Sequence, residues 1–295
     1  MARPLWAEKK LLTLEILLFI LFVLAFKLVL GWKAALILTA VVLVHEFGHI
    51  WAMHHFKLGL KAFLFIPMAG AVVVPAADKY PSENADGWVS LMGPIWGFGS
   101  ALLALGLWRL TGAGIFHEAA FFAALINVFN LDLLFPLDGG RLMRCFTHML
   151  APSNGLIVFS ILNLISLAPI VLAGWLTIQA IKDPGISRIL IWISLGSLVL
   201  MVGIVIFGAY TELRDRMLLI WYETTLPEEK KVILEQRINT DPTGKLREKL
   251  FLAAASYRRA EEIKLSGKQF VFLLLAYLAT LTGLVILIVK FFRVW

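Results

Sequence analysis

Long uninterrupted runs of apolar residues are what this chain must accommodate before anything else. They cover residues 11–30, 34–56, 88–110, 118–137, 156–181, 188–210 and 269–292. Each is near the ~20 residues that carry a helix across the hydrocarbon core of a bilayer. A soluble domain would break such runs into alternating or 3.6-periodic patterns with a polar face, and these runs have none. With 60% hydrophobic and only 16% charged residues, the chain lacks the polar side chains for a solvated surface. We therefore expect an all-α polytopic membrane protein with six or seven transmembrane helices.

The formal net charge of +7 does not point to nucleic acid, because the Lys and Arg residues sit mostly between the apolar runs. There they set orientation. Arg3, Lys9 and Lys10 place the N-terminus in the cytoplasm, with the cell membrane as the expected location. Strict alternation then brings Arg141, Arg144 and the segment from Thr211 to Lys268 to the same side. Gly31, Trp32 and Lys33 do not form a small-residue cleavage site, so the first run reads as an uncleaved helix rather than a signal peptide. Cys145 is the single cysteine, which excludes an internal disulfide and any multi-cysteine zinc cluster.

The chain divides into an N-terminal tail and first helix (1–33), a membrane core (34–150), two further helices (151–210), a charged cytoplasmic insertion (211–268) and a last helix (269–295). Phe63 to Val74 is apolar but too short to span, and Pro67 and Gly70 interrupt it. From the residues alone it is either a tucked loop or a re-entrant β-like hairpin, the latter allowed at membrane depth only under cover of protein or water. Glu15, Lys27 and Lys290 lie near run ends and are expected to snorkel. Asp132 falls inside an apolar run with no obvious partner.

The chemistry is concentrated in His45-Glu46-Phe47-Gly48-His49. A spacing of four puts both imidazoles on one helix face, able to share one metal, with Glu46 beside them to act on a water that the metal activates. Three ionisable groups within five residues of a spanning helix need a compensating reason such as a metal. A catalytic zinc takes three protein ligands and keeps one position open. Asp138 is the best third ligand: it closes the fourth run at Pro136-Leu137-Asp138-Gly139-Gly140, where proline ends the helix and glycines admit close backbone approach. One zinc ion per chain is expected, with His45, His49 and Asp138 as candidate ligands and Glu46 as the candidate catalytic residue; a plain helix-capping role is the alternative for Asp138. His54, His55, His117, Glu118 and His148 read as interfacial or helix-end groups.

On these residues, from Leu43 to Arg141, the chain resembles the site-2 protease family of intramembrane zinc metalloproteases, peptidase M50-like proteins. That family is marked by an HExxH in one transmembrane helix and an N-x-x-P-x-P-x-L-D-G-G-like motif in another. A Gly93-Pro94 pair in the intervening helix is also similar. Leu133 and Phe135 depart from the family's prolines, and Asp132 is charged where an apolar residue is usual. The likeness implies a zinc endopeptidase for regulated intramembrane proteolysis, acting in the lipid bilayer on a single-pass, membrane-tethered regulatory protein. It also implies that Asn130 lies near the active site, and it favours the membrane-embedded hairpin, so Asn130, Pro67 and Gly70 are expected on the substrate side. The rival from another class is a non-catalytic relative such as a zinc permease or pseudoprotease scaffold. An intact Glu46 argues against it, since a transporter needs no general base. Nothing in the sequence sets an oligomeric state.

Overall fold

The structure is a computed structural model that describes residues 5–67, 70–76, 80, 82–150 and 152–180, short pieces between 202 and 232, and 264–292. Side chains are described from Lys10 onward and, in 152–180, as far as Leu167. Most of the expected run 188–210, most of the insertion 211–268 and the tail with Arg3 lie outside the described residues. The remainder is mostly helical, with one two-stranded sheet.

The first two apolar runs form one helical element, α1 (Leu5–His55), broken only at Gly31. Its φ of 81° and ψ of 170° are open to glycine and costly for residues with a Cβ, so the chain reverses there without a loop. The two halves pack side by side: Phe22, fully buried, sits with Val42 from the other half.

After α1 come β1 (Leu60–Ile66) and β2 (Gly70–Pro75), paired antiparallel with Phe63 opposite Val73 and Leu64 opposite Val72. The hairpin is the second of the two forms open to Phe63–Val74, and Pro67 lies in its turn. Phe65 packs on Phe22 of α1, while Val73 packs on Ala52 and Met53 at the end of α1 and on Val89 beyond. Glu15 does not snorkel. Its Oε1 accepts from the Phe63 amide at 2.8 Å, because α1 folds back and brings that carboxylate alongside β1.

α2 (Glu83–Thr111) is the centre of the bundle. It starts where Ser82 Oγ accepts from the Ala85 amide at 3.1 Å and stops at Gly112 in the left-handed region. Small residues along it admit its neighbours. α3 (Gly114–Asn130) returns beside it and ends seven residues earlier than the apolar run predicts. Two causes act in that stretch: Asp132 Oδ1 accepts from the Leu134 amide at 3.2 Å, and Pro136 has no amide to donate. Asp132 is thus a turn former, not a carboxylate inside a helix. Asp138 accordingly opens a new helix, α4 (Asp138–Thr147), rather than closing the preceding one.

α5 (Pro152–Ala180) and α6 (Gly267–Phe292) lie further along the chain. Leu273 and Leu284 of α6 are fully buried, and Tyr277 donates its hydroxyl to the Leu131 carbonyl at 2.9 Å, fixing the turn that precedes Asp138. Among the described residues, Lys10–His55, Glu83–Thr111 and Gly267–Phe291 are long and apolar enough to cross a membrane.

Candidate active site

The site is built from α1, α2, α3 and the first residue of α4. His45 and His49 are one helical turn apart on the buried face of α1, with Nε2 atoms 3.1 Å from each other. Asp138 Oδ2 reaches in from α4, 3.1 Å from His45 Nε2 and 3.3 Å from His49 Nε2. One Glu46 carboxylate oxygen lies within 4.8 Å of a ring nitrogen of each histidine. All four side chains are buried.

The protonation of the imidazoles follows from their far sides. His49 Nδ1 is 2.6 Å from the Val89 carbonyl, which only accepts, so that nitrogen carries the proton. His45 Nδ1 is 2.7 Å from Asn127 Oδ1. The asparagine is oriented by its own amide nitrogen, which donates to the Ala123 carbonyl at 2.7 Å, so its oxygen faces His45 and accepts. Both Nε2 lone pairs therefore point inward, towards a carboxylate oxygen that is buried and lacks a hydrogen bond. Three lone pairs facing one another repel unless a cation lies between them. Bonds of 2.0–2.1 Å to a tetrahedral ion set neighbouring ligand atoms about 3.3 Å apart. The observed triangle, with sides of 3.1, 3.1 and 3.3 Å, fits that requirement.

Close approach depends on two glycines of α2. A Cβ at Gly93 would collide with the imidazoles of His49 and His45, and one at Gly97 with the Asn127 amide. α2 thus lies directly against both the histidine pair and its outer partner.

Asn130 is half-buried and donates its amide to the Ile126 carbonyl at 3.1 Å. It is Asn127, fully buried one turn earlier, that meets His45. The other histidines are elsewhere. His55 stacks on Trp51, His117 packs between Trp108 and Phe291, and His148 bonds Glu83 and Glu212.

Two imidazoles and a carboxylate converging on one buried point inside an apolar helical bundle define an integral membrane protein with a zinc-type metal centre. The family resemblance holds beyond the motifs: residues 33–120 match Peptidase family M50. Stage IV sporulation protein FB of Bacillus subtilis is 31% identical over 121 residues, which cover 38% of this chain and 39% of that protein. A zinc metalloprotease of Methanocaldococcus jannaschii is 28% identical over 119 residues, covering 38% of this chain and 34% of its own. The chain therefore spans about two fifths or less of the curated relatives it matches. The site-2 protease from Methanocaldococcus jannaschii superposes with a TM-score of 0.46 at 20% identity, over 68% of this chain and 88% of that one.

Proposed function

We propose that this chain is an intramembrane zinc endopeptidase that cuts a membrane-tethered, single-pass regulatory protein within or near its transmembrane segment. The observation that carries the reading is the set of three inward-facing lone pairs on His45, His49 and Asp138, with the Glu46 carboxylate beside them. When bound there, zinc supplies Lewis-acid activation of water and of the scissile carbonyl. His45, His49 and Asp138 hold the ion, and Asn127 and the Val89 carbonyl keep the imidazoles in the tautomer that can do so. Glu46 takes the proton from the attacking water and delivers it to the leaving amine.

A helical substrate hides its carbonyls in i to i+4 bonds and must unwind before attack. The hairpin offers it a strand to join. Since the Phe63 amide points away from β2 towards Glu15, Phe63–Val73 is a non-hydrogen-bonded pair, and the outward groups of β2 belong to Ala71 and Val73. We assign substrate pairing to that edge, with Pro67 and Gly70 shaping its turn and Asn130 facing the substrate backbone. Residues 34–150 form the catalytic core of a protein with six or seven spans and a cytoplasmic N-terminus in the cell membrane.

The test is cleavage of a purified single-pass substrate by the parent protein and by Glu46→Gln. Glu46→Gln should retain zinc and lose at least 1,000-fold in turnover, a residual on the order of what remains when catalytic machinery is removed but binding persists. Equal cleavage by both proteins, or none by a zinc-loaded parent against a range of substrates, would leave only the scaffold or permease reading.

A further inference from the structure

Asp86, in the first turn of α2, is 2% exposed and makes contacts the reaction does not call on. Its Oδ1 accepts from Arg141 Nη2 at 2.6 Å, and its Oδ2 accepts from Arg144 Nη2. The Cys145 thiol lies 3.7 Å from Oδ2. Arg141 also donates to the Tyr80 hydroxyl at 2.8 Å, and Arg144 Nη1 lies 3.7 Å from Glu212. The three residues that meet Asp86 all belong to α4, the helix that Asp138 opens.

Asp138 and Arg141 are three residues apart, on neighbouring positions of one helix face, a rise of about 4.5 Å. On α2, Asp86 and Val89 have the same separation, and Val89 is the residue whose carbonyl holds His49. One turn of α2 therefore grips both halves of the metal centre: the imidazole through Val89 and the carboxylate helix through Asp86. We infer that Asp86 is a positioning residue for the metal carboxylate, holding α4 in register against α2 through Arg141 and Arg144 so that Asp138 completes the ligand triangle.

The physical case rests on what its loss leaves behind. Two guanidinium groups with 24% and 26% exposed side chains would lose their shared anion, and the cheapest relief is for α4 to move outward towards water. Asp138 sits at the end of that helix, and a ligand displaced by even half an ångström no longer completes the shell. The inference rests on the metal-site reading above, and the experiment separates the two.

Zinc affinity is measured by chelator competition on the purified full chain, alongside the visible absorption spectrum of the cobalt(II) form, which reports ligand geometry. Asp86→Asn should weaken zinc binding by about 10- to 100-fold, as outer-shell substitutions do, and change the cobalt spectrum. Asp86→Glu, which keeps the charge, should recover part of the affinity. Arg141→Gln leaves Asp86 paired with Arg144 and removes the link nearest Asp138, so it should weaken zinc binding even if Asp86→Asn does not fold. Glu212→Gln takes a charge from the same cluster at its far side and should lower thermal stability while zinc affinity stays within about twofold. Parent-like zinc affinity and cobalt spectrum in Asp86→Asn or in Arg141→Gln would overturn the inference. So would equal zinc loss in Glu212→Gln. A parent that binds no zinc would instead overturn the metal-site reading.

Discussion

Two asparagines one turn apart on α3 have different surroundings, and the difference predicts different defects. Asn127 is fully buried, its amide fixed by the Ala123 carbonyl and its oxygen against His45. Asn127→Leu removes the acceptor that sets the His45 tautomer and should lower zinc affinity 10- to 100-fold. Asn130→Ala should leave zinc bound and change KM for substrate, read by steady-state cleavage and metal analysis. Should Asn130→Ala lose zinc while Asn127→Leu keeps it, the two assignments are reversed. For the ligands themselves, His45→Ala, His49→Ala and Asp138→Ala should each strip most of the metal, because two protein ligands leave an incomplete shell. The four side chains that converge in the candidate site were legible in the sequence because a metal-binding pattern declares itself in side-chain identity and spacing. From residue type alone, a spacing of three places Asn127 and Asn130 on one side of the helix and does not say which of them meets a histidine. The Val89 carbonyl was not visible at all, as a backbone acceptor has no signature in residue type.

The hairpin sharpens at the scale of the element. Val72 faces Leu64 in a hydrogen-bonded pair, whereas Val73 faces Phe63 in a non-hydrogen-bonded one. Val73→Pro removes an outward amide together with a buried side chain, so it should cut peptide turnover while zinc stays bound, with some loss of thermal stability from the packing on Ala52, Met53 and Val89. Val72→Pro breaks the ladder within the hairpin and should lower stability as well. Full activity in Val73→Pro would remove β2 as the substrate edge. The hairpin could be anticipated because Pro67 and Gly70 punctuate a run too short to cross a bilayer. Its tether could not: Glu15 and Phe63 are 48 residues apart and meet only because Gly31 reverses α1. The position of Asp138 was misjudged for a related reason. Hydropathy continues through Leu131–Leu137, while the backbone is broken there by Asp132 and Pro136, whose effect is local hydrogen bonding rather than polarity.

For the whole molecule, the described contacts define two ends of the bundle. At one, Lys33 pairs with Glu118 at 2.6 Å and the His117 ring meets Trp108 and Phe291. At the other, Glu83 meets His148, Asp86 meets Arg141 and Arg144, and Phe146 meets Phe270. α6 thus starts at the second end and finishes at the first. The N-terminal half of α1 runs from Leu5 to the Gly31 reversal, about 39 Å at helical rise, so its start belongs with the second end too. Lys10, Lys57, Arg141, Arg144, Lys264 and Lys268 lie at or near that end, against Lys27, Lys33, Arg109 and Lys290 opposite. The carboxylates that neutralise the two arginines do not weaken the bias, because orientation follows Lys and Arg rather than net charge. Reporter tags before Met1 and within 211–268 should therefore both read cytoplasm, and a tag after Trp295 the opposite face. The direction of α6 fixes this parity whatever the number of crossings between residues 152 and 263. Tags at the two termini reporting one side would mean that either the N-terminal half of α1 or α6 does not cross, and in the second case the packing of Leu273, Tyr277 and Leu284 in the bundle core would have to be abandoned with it.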